Sequence, residues 1–527
     1  MHKICFLVLL SCYSLLVRSQ QVFDALELGK FNPTASARIH AMGGNSNALG
    51  GDISALYHNP AGLAQYRTNE FLFSPGIFLN SMTLRYNASD FNDSRTRMNV
   101  GATGFVFSMY HQKRGRIKRT NLSIGMSQTA NFNTAFHYRG INKNSSFSEK
   151  WVDELINNNI RNFSDALSFS PAGASLAIET YLVDSATNIN GERGYITNAH
   201  KPNMNPNLDQ SFSYRTTGSA NELSIGLATH TTEKLYYGVT MGIPFLRRTE
   251  TATIREQDMS GDTDNDFEQF TYTENITTRG AGIVFRGGAL YKPFEYFRIG
   301  FNFQTPTFYT LTRSADARLE TSVENYARKI NNDNTKPQQF NTATKDINNG
   351  NQYIYDYNFM TPWQMSLAAS YIFRETDDVK KQRGMITAAI DFVNHQSVRF
   401  NNSDGGTQSF ASDFYTALNK DVKAAYRPAL NFSIGGELKF HTIMFRGGFR
   451  YQQSPYEKNA LPDVKGYQLI PSLGIGYRDK GIFADLAYSY TMGDGIHFPY
   501  ILSENIYPYA TSRIRNGQIL CTIGCKF

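Results

Sequence analysis

The chain has 527 residues and a formal net charge of +7, with 41% hydrophobic, 18% charged and 13% aromatic residues. Charged residues are scarce against a typical ~25%, and a mean hydropathy of −0.40 excludes a bundle of membrane helices, each of which needs ~20 consecutive apolar residues. So many Phe and Tyr residues also exclude a disordered chain. These numbers leave an all-β protein of unusual size.

Residues 1–19 have the features of a secretory signal peptide. An apolar run extends from Ile4 to Val17, and Val17-x-Ser19 forms a small-residue cleavage site. Lipoprotein processing at Cys12 is an alternative, but the residues after Cys12 are apolar where a polar tether is expected. Without this peptide the chain is only mildly basic, which does not indicate a nucleic-acid partner.

Residues 20–68 are rich in small residues, glycines and turn signals, with a patchy helical stretch over 33–42. Their glycines do not match the dinucleotide pattern G-x-G-x-x-G, and no strand precedes them, so nucleotide binding is rejected. A periplasmic tail is one interpretation. A tail would seldom expose Met42, Leu56 and Tyr57, so we predict a plug (hatch) inside a barrel.

The rest of the chain, residues 69–527, contains fourteen segments with β-type alternation. They are 70–87, 98–111, 119–138, 208–230, 234–256, 267–291, 296–320, 352–374, 384–402, 426–440, 442–453, 467–478, 482–493 and 512–527. Short turns alternate with longer polar loops, the largest being 139–207 and 321–351. An even strand count with this loop asymmetry predicts a 14-stranded antiparallel transmembrane β-barrel of the outer membrane, with short turns and both chain ends in the periplasm.

Within these segments apolar residues keep to one parity, the predicted lipid face, and charges keep to the other. The lumen-parity charges are Arg286, Arg298, Asp391, Glu437, Lys439, Arg446, Arg450 and Asp485. Most should pair across neighbouring strands. One left unpaired could hold a ligand carboxylate bidentately, and the candidates are Arg446 and Arg450.

The third strand carries a polar run, Ser127, Gln128 and Thr129, between apolar residues. Such a run is expected where a strand bends inward and loses its neighbour, because unpaired backbone facing lipid is not tolerated. We therefore mark it as a possible lateral opening; a Gln near the membrane interface is the alternative.

The loop 139–207 contains an amphipathic stretch, 151–163, and a second apolar group after it. So much apolar surface needs a partner, either the barrel rim or an apolar ligand. We expect rim packing to dominate, although both are compatible with the sequence.

The chain ends on QILCTIGCKF, which alternates like a closing barrel strand and terminates in Phe527. Leu520 is the exception to the alternation. Cys521 and Cys525 lie ~13 Å apart on one face at 3.3 Å per residue, too far for a disulfide between them.

The segment AMGG…ALGGD…ALYHNPAGLA, within residues 41–64, resembles the N-terminal hatch of the long-chain fatty-acid transporter family (FadL type, which includes aromatic-hydrocarbon channels). The strand count and Phe527 fit that family, and the Phe/Tyr- and Asn-rich strands resemble its Bacteroidetes members. The resemblance implies a hatch below a hydrophobic pocket, a gate role for Asn59, Pro60, Ala61 and Gly62, and lateral ligand release at a kink in the third strand.

Catalysis is not indicated. The ten histidines show no HExxH motif, no metal-ligand spacing and no G-x-S-x-G nearby, so no catalytic residue, metal or cofactor is predicted. We expect a monomeric, passive channel in the outer membrane of a Gram-negative bacterium, whose partners are a hydrophobic small molecule, long-chain fatty acids first, and membrane lipid. The alternative is a same-fold component of a type IX secretion system that acts as a cargo shuttle.

Overall fold

The computed structural model describes residues 19–87, 89–113, 116–187, 193–201, 206–373, 383–403, 409–458, 463–503 and 507–527. The predicted signal peptide lies outside these residues except for Ser19. In the described part of the chain, no helix is both long enough and apolar enough to cross a membrane.

The strands form fourteen consecutive spans, each antiparallel to its neighbours in the chain. In order they are Glu70–Phe73 with Pro75–Tyr86, Ser89–Val100 with Thr103–Lys113, Arg116–Asn131 with Thr134–Asn142, Leu208–Thr232, Leu235–Asp258, Gln269–Phe294, Phe297–Gln304 with Phe308–Ser322, Tyr353–Met360 with Gln364–Phe373, Gly384–Asn394 with Arg399–Asn402, Pro428–Phe440, Ile443–Gln452, Gln468–Asp479, Ile482–His497 and Ala510–Lys526. The last span pairs with the first, for example Ile77 with Ile519, which closes the ring. The predicted 14-stranded antiparallel barrel is confirmed.

An apolar band encircles the outside of the ring. Large hydrophobic side chains that alternate along the spans are exposed, among them Leu473 (67%), Ile482 (61%) and Ile523 (55%). A soluble protein does not expose a continuous apolar belt of this extent, whereas a membrane barrel requires one. The barrel therefore spans a membrane.

The last span explains the single break in its alternation. Ile519, Ile523 and Phe527 are exposed on the outer face, as expected. Leu520 points into the lumen and is fully buried in a cluster with Ala37 and Ala41 of the N-terminal segment. An apolar residue on the lumen parity thus marks a place where the lumen is filled by protein.

Three parts of the structure differ from the sequence prediction. The second span begins at Ser89, nine residues earlier than predicted, because its first strand carries polar residues on both faces. Within 33–42 only Ala37–Ala41 is helical, capped by the Ser36 hydroxyl. Two helices, Ser19–Leu28 and Ser409–Ala425, were not predicted.

The two largest loops fold against the end of the barrel that lies away from the short turns. The loop after the third span contains helices Glu149–Asn157, Phe163–Phe169 and Ala174–Glu179 and the hairpin Val183–Thr187/Arg193–Thr197. The loop after the seventh span contains Tyr326–Asn331, Gln339–Ala343 and Thr344–Ile347. The amphipathic helix of the first loop buries Trp151 and Leu155 in one core with Phe270 of the sixth span.

Candidate functional site

The N-terminal segment, residues 19–66, lies inside the ring of strands. Its backbone and side chains bond to spans on opposite sides: Ala37 N donates to the Thr522 hydroxyl, and Asn59 Nδ2 donates to Ala289 O. The backbone N–H of Gly43 also bonds to the Ser472 hydroxyl. A segment that touches the sixth, twelfth and fourteenth spans must occupy the lumen that they enclose.

The Asn-Pro-Ala-Gly motif is a fixed turn seated on the barrel wall. Asn59 caps the 3-10 helix Pro60–Gln65, and its Oδ1 accepts from the Ala61 N–H at 3.1 Å. Its Nδ2 donates to Asn47 O at 2.7 Å and to Ala289 O, on the sixth span, at 3.1 Å. Asn59 therefore ties two turns of the segment to each other and to the barrel.

Glycines on the barrel wall make room for this motif. A Cβ added at Gly288 would stand 1.9 Å from Asn59 Oδ1, and one at Gly238 would stand 2.5 Å from Pro60 O. Neither approach is compatible with any side chain beyond hydrogen. The wall is thus shaped to the segment at atomic contact, and Gly62 is confined in the same way by Gly50, whose Cα would lie 2.9 Å from a Cβ.

A buried ion cluster anchors the first helix of the segment. The Asp24 carboxylate pairs with Arg248 of the fifth span at 2.7 Å and with Arg313 of the seventh span at 2.6 Å. Arg248 also pairs with Glu250 at 2.9 Å. Because removal of one partner would leave buried charge uncompensated, this cluster fixes the helix firmly to the wall.

The third span is interrupted at the predicted polar run. Its ladder with the second span reaches Thr103–Met126, and its pairing with the fourth span shifts register between Gln128 and Ala130. Beyond the interruption the span lies further inward, where Tyr138 contacts lumen-facing Tyr86 of the first span with tilted rings whose centroids are 4.8 Å apart. The second and third spans therefore lose their ladder hydrogen bonds beyond this point and meet through side-chain contacts, for example where the His137 N–H donates to Asp93 Oδ2 at 2.9 Å.

The N-terminal segment takes up the hydrogen bonds that the break in the ladder leaves open. Asn32 N donates to Thr129 O at 2.8 Å, and Thr34 N donates to Gln128 O at 2.9 Å. The Ser127 hydroxyl donates to Thr34 O at 2.8 Å. The three polar residues thus join the third span to the segment in the lumen.

A cavity of about 610 Å³ lies in the lumen, lined by the N-terminal segment and by inward-facing residues of the barrel spans. The segment contributes Phe23, Asp24 and Phe31 to its lining, and the interrupted third span contributes Gln128 and Asn131. A drug-sized or acyl-chain ligand fits a volume of this size. The cavity thus adjoins both the segment and the break in the ladder.

The ion pairs in the lumen mostly join spans that are not adjacent, as Arg286 and Glu222 do, and the two candidate arginines differ. Arg446 is fully buried and holds Glu437 and Asp485, each at 2.6 Å, so it has no capacity for a ligand carboxylate. Arg450 lines the cavity, donates to Asn32 Oδ1 at 3.2 Å, and lies 3.8 Å from Asp391. Of the pair, Arg450 alone lines the cavity.

The sequence prediction did not include the ion cluster around Asp24, nor the wall glycines Gly238 and Gly288 that make room for the Asn-Pro-Ala-Gly motif. Asp24 follows the predicted signal peptide closely and has no local signal of a buried role. The glycine pair Gly287–Gly288 lies within a predicted strand, where glycine marks close approach of another backbone. That signal was available in the sequence.

No family model matches the chain, and no protein of curated function matches it. Among solved structures, a Pseudomonas aeruginosa FadL homologue is 12% identical, with 95% of this chain and 100% of that chain covered and a TM-score of 0.54. The Pseudomonas putida toluene transporter TodX is 15% identical, with 95% and 100% covered and a TM-score of 0.48. The first likeness shows that the chain shares the fold of the FadL homologue.

Proposed function

We propose that this protein is an outer-membrane channel for the passive uptake of hydrophobic compounds, long-chain fatty acids first, with the N-terminal segment acting as its hatch. The proposal rests chiefly on one observation: the segment that fills the lumen also bonds to the interrupted third span beside a ligand-sized cavity. A shift of the segment would therefore change the floor of the cavity and its side wall together.

The break in the ladder between the second and third spans supplies a side exit. Ser127, Gln128 and Thr129 are bonded to the segment when it is seated, so the exit is closed in this state. Withdrawal of Asn32 and Thr34 would free that edge toward the lipid. Release into the membrane suits a greasy ligand, which gains ~0.8 kcal/mol for each CH₂ removed from water.

Arg450 is the proposed contact for a fatty-acid carboxylate. It lines the cavity, and its 3.8 Å separation from Asp391 is too long for a tight ion pair, so its guanidinium has donors to offer. Arg446 acts instead as a structural link that joins the eleventh span to the tenth and the thirteenth.

The proposal is tested by uptake of labelled oleate in cells that lack their own transporter. The cells express the wild-type protein or Asn59→Ala/Pro60→Ala, which removes the anchor of the hatch motif, and folded protein in the outer membrane is verified by its heat-dependent gel mobility. We expect wild-type uptake above the background and altered uptake in the variant.

Arg450→Gln serves as the ligand-contact variant and should lower oleate uptake while uptake of an uncharged hydrocarbon such as toluene persists. If the folded wild-type protein raises the uptake of neither compound, the channel proposal is wrong. If toluene alone enters, the fatty-acid assignment fails and the channel remains.

A further inference from the structure

Two arginines face each other directly on the outer surface of the barrel. Arg247 of the fifth span lies opposite Arg279 of the sixth span in the ladder, and both are exposed. They point outward, because Phe245, two residues before Arg247, is exposed on the same face (53%). Like charges directly opposite each other destabilise a sheet, so the pair calls for a counter-charge.

The protein supplies no such counter-charge. Across the described ranges, neither Arg247 nor Arg279 forms an ion pair with a carboxylate, and the residues opposite them on the outer strands, Ser219 and Thr312, carry hydroxyls. Elsewhere the pattern is different. On the last span Arg513, also exposed, lies opposite Asp494.

The positive surface continues onto the neighbouring fourth span. Arg215, exposed on the fourth span, stands four residues beyond Ser219, which lies opposite Arg247. We name Arg215, Arg247 and Arg279 the arginine cluster.

The cluster stands at the edge of the apolar band. On the fifth span, outward apolar side chains run from Leu235 to Phe245, and Arg247 follows at once. Phe245 lies ten residues after Leu235, about 33 Å along the strand, or about 25 Å along the membrane normal for a tilt of about 40°. This equals the ~25 Å height of a barrel's apolar band, which puts Arg247 at the headgroup level on the side away from the short turns.

We propose that the arginine cluster binds the phosphate groups of a phosphorylated glycolipid in the outer leaflet. A phosphate between Arg247 and Arg279 replaces their mutual repulsion by charge-assisted hydrogen bonds to both guanidinium groups, and the neighbouring hydroxyls add donors. The acyl chains of the same lipid lie along the exposed apolar side chains below, including Phe245. The inference rests on placement in an outer membrane and is independent of the channel's ligand.

The test measures binding of bisphosphorylated lipid A to the full-length protein in detergent, by native mass spectrometry, after removal of co-purified lipid. Arg247→Gln/Arg279→Gln should weaken binding at least about tenfold, since each hydrogen bond to a charged group contributes roughly that factor. The matched control, Arg513→Gln/Arg515→Gln, changes two exposed arginines of another span and should bind like the wild type. Heat-dependent gel mobility verifies that both variants are folded.

Two further probes separate the lipid from its phosphate. Dephosphorylated lipid A should bind weakly to all three proteins, and inorganic phosphate should not displace the bisphosphorylated form. Equal binding of bisphosphorylated lipid A by the wild type and the Arg247/Arg279 variant would overturn the proposal, as would an equal loss in the control. Full displacement by inorganic phosphate would show an anion site without lipid specificity and would likewise overturn it.

Discussion

Substitution of a single wall glycine should unseat the N-terminal segment while the barrel stays intact. Gly288 faces the segment, and a Cβ there would stand 1.9 Å from Asn59 Oδ1. Ordinary contact begins at 3.4 Å, so Gly288→Ala displaces the Asn59 carboxamide by about 1.5 Å. The adjacent Gly287 has no atom within 4 Å of the position of an added Cβ, which makes Gly287→Ala a matched control.

The size of the effect follows from the bonds that Asn59 makes. A displacement of that size breaks its hydrogen bonds to Asn47 O, Ala289 O and Ala61 N. At about 1 kcal/mol each, the seated state loses about 3 kcal/mol, which raises the unseated fraction about 100-fold. The strand ladders are untouched, so the free energy of unfolding of the barrel itself should change little.

The assay is swelling of liposomes that contain purified protein, with small sugars as the permeating solute. Gly288→Ala should swell the liposomes faster than the wild type, and Gly287→Ala should match the wild type. Hydrogen exchange of the amides in residues 47–62 gives a second readout and should accelerate only in Gly288→Ala. Unchanged liposome swelling and unchanged hydrogen exchange in folded Gly288→Ala would show that the close approach of Gly288 to Asn59 does not hold the N-terminal segment in place.

Two other changes have defined outcomes. Asp24→Asn leaves Arg248 and Arg313 without their shared carboxylate, so it should weaken docking of the first helix by about 3 kcal/mol or more. We expect faster proteolysis of residues 19–30 from an otherwise folded barrel. Resistance to proteolysis equal to that of the wild type would contradict the anchor role. Glu256 stands beyond the membrane, eleven residues past Phe245, where burial raises the pKa of its carboxyl to about 7 despite hydrogen bonds from Ser146 and Phe147. Because the folded pKa lies above the ordinary value, the packing of the outer loops should be most stable below about pH 4.5 and lose stability as the pH rises through 7. In a Trp363→Phe background the emission of buried Trp151 should report this loss, and Glu256→Gln should abolish it; a pH response that survives the substitution would assign it to another group.

The sequence predicted the ring of strands well because a membrane imposes a strict rule on each residue. Ile386 and Ile390 must face lipid and Thr387 must face the lumen, so parity alone assigns them. The rule fails where a strand leaves the membrane. Ser89–Val100 is polar on both faces, which is why its start was placed nine residues late.

The lumen was harder to predict because its contacts join residues distant in the chain. Asn59 was selected from its motif, but its partner Ala289 lies 230 residues away, and Asp24 meets Arg248 and Arg313 over similar separations. The choice between Arg446 and Arg450 depended on which carboxylates fold beside them. Parity placed both in the lumen, and only the structure separates the buried link from the cavity residue.

The position of the short helix Ala37–Ala41 has a consequence for biogenesis. The N–H of Ala37 bonds to Thr522 in the fourteenth span, which is synthesised after the other spans, and Thr522 in turn bonds to Ser74 of the first span. This helix can therefore reach its final place only when the two ends of the sheet meet. Closure of the seam and filling of the interior must be completed as one step, so an assembly machine that joins the seam must receive the amino-terminal segment already inside the curling sheet.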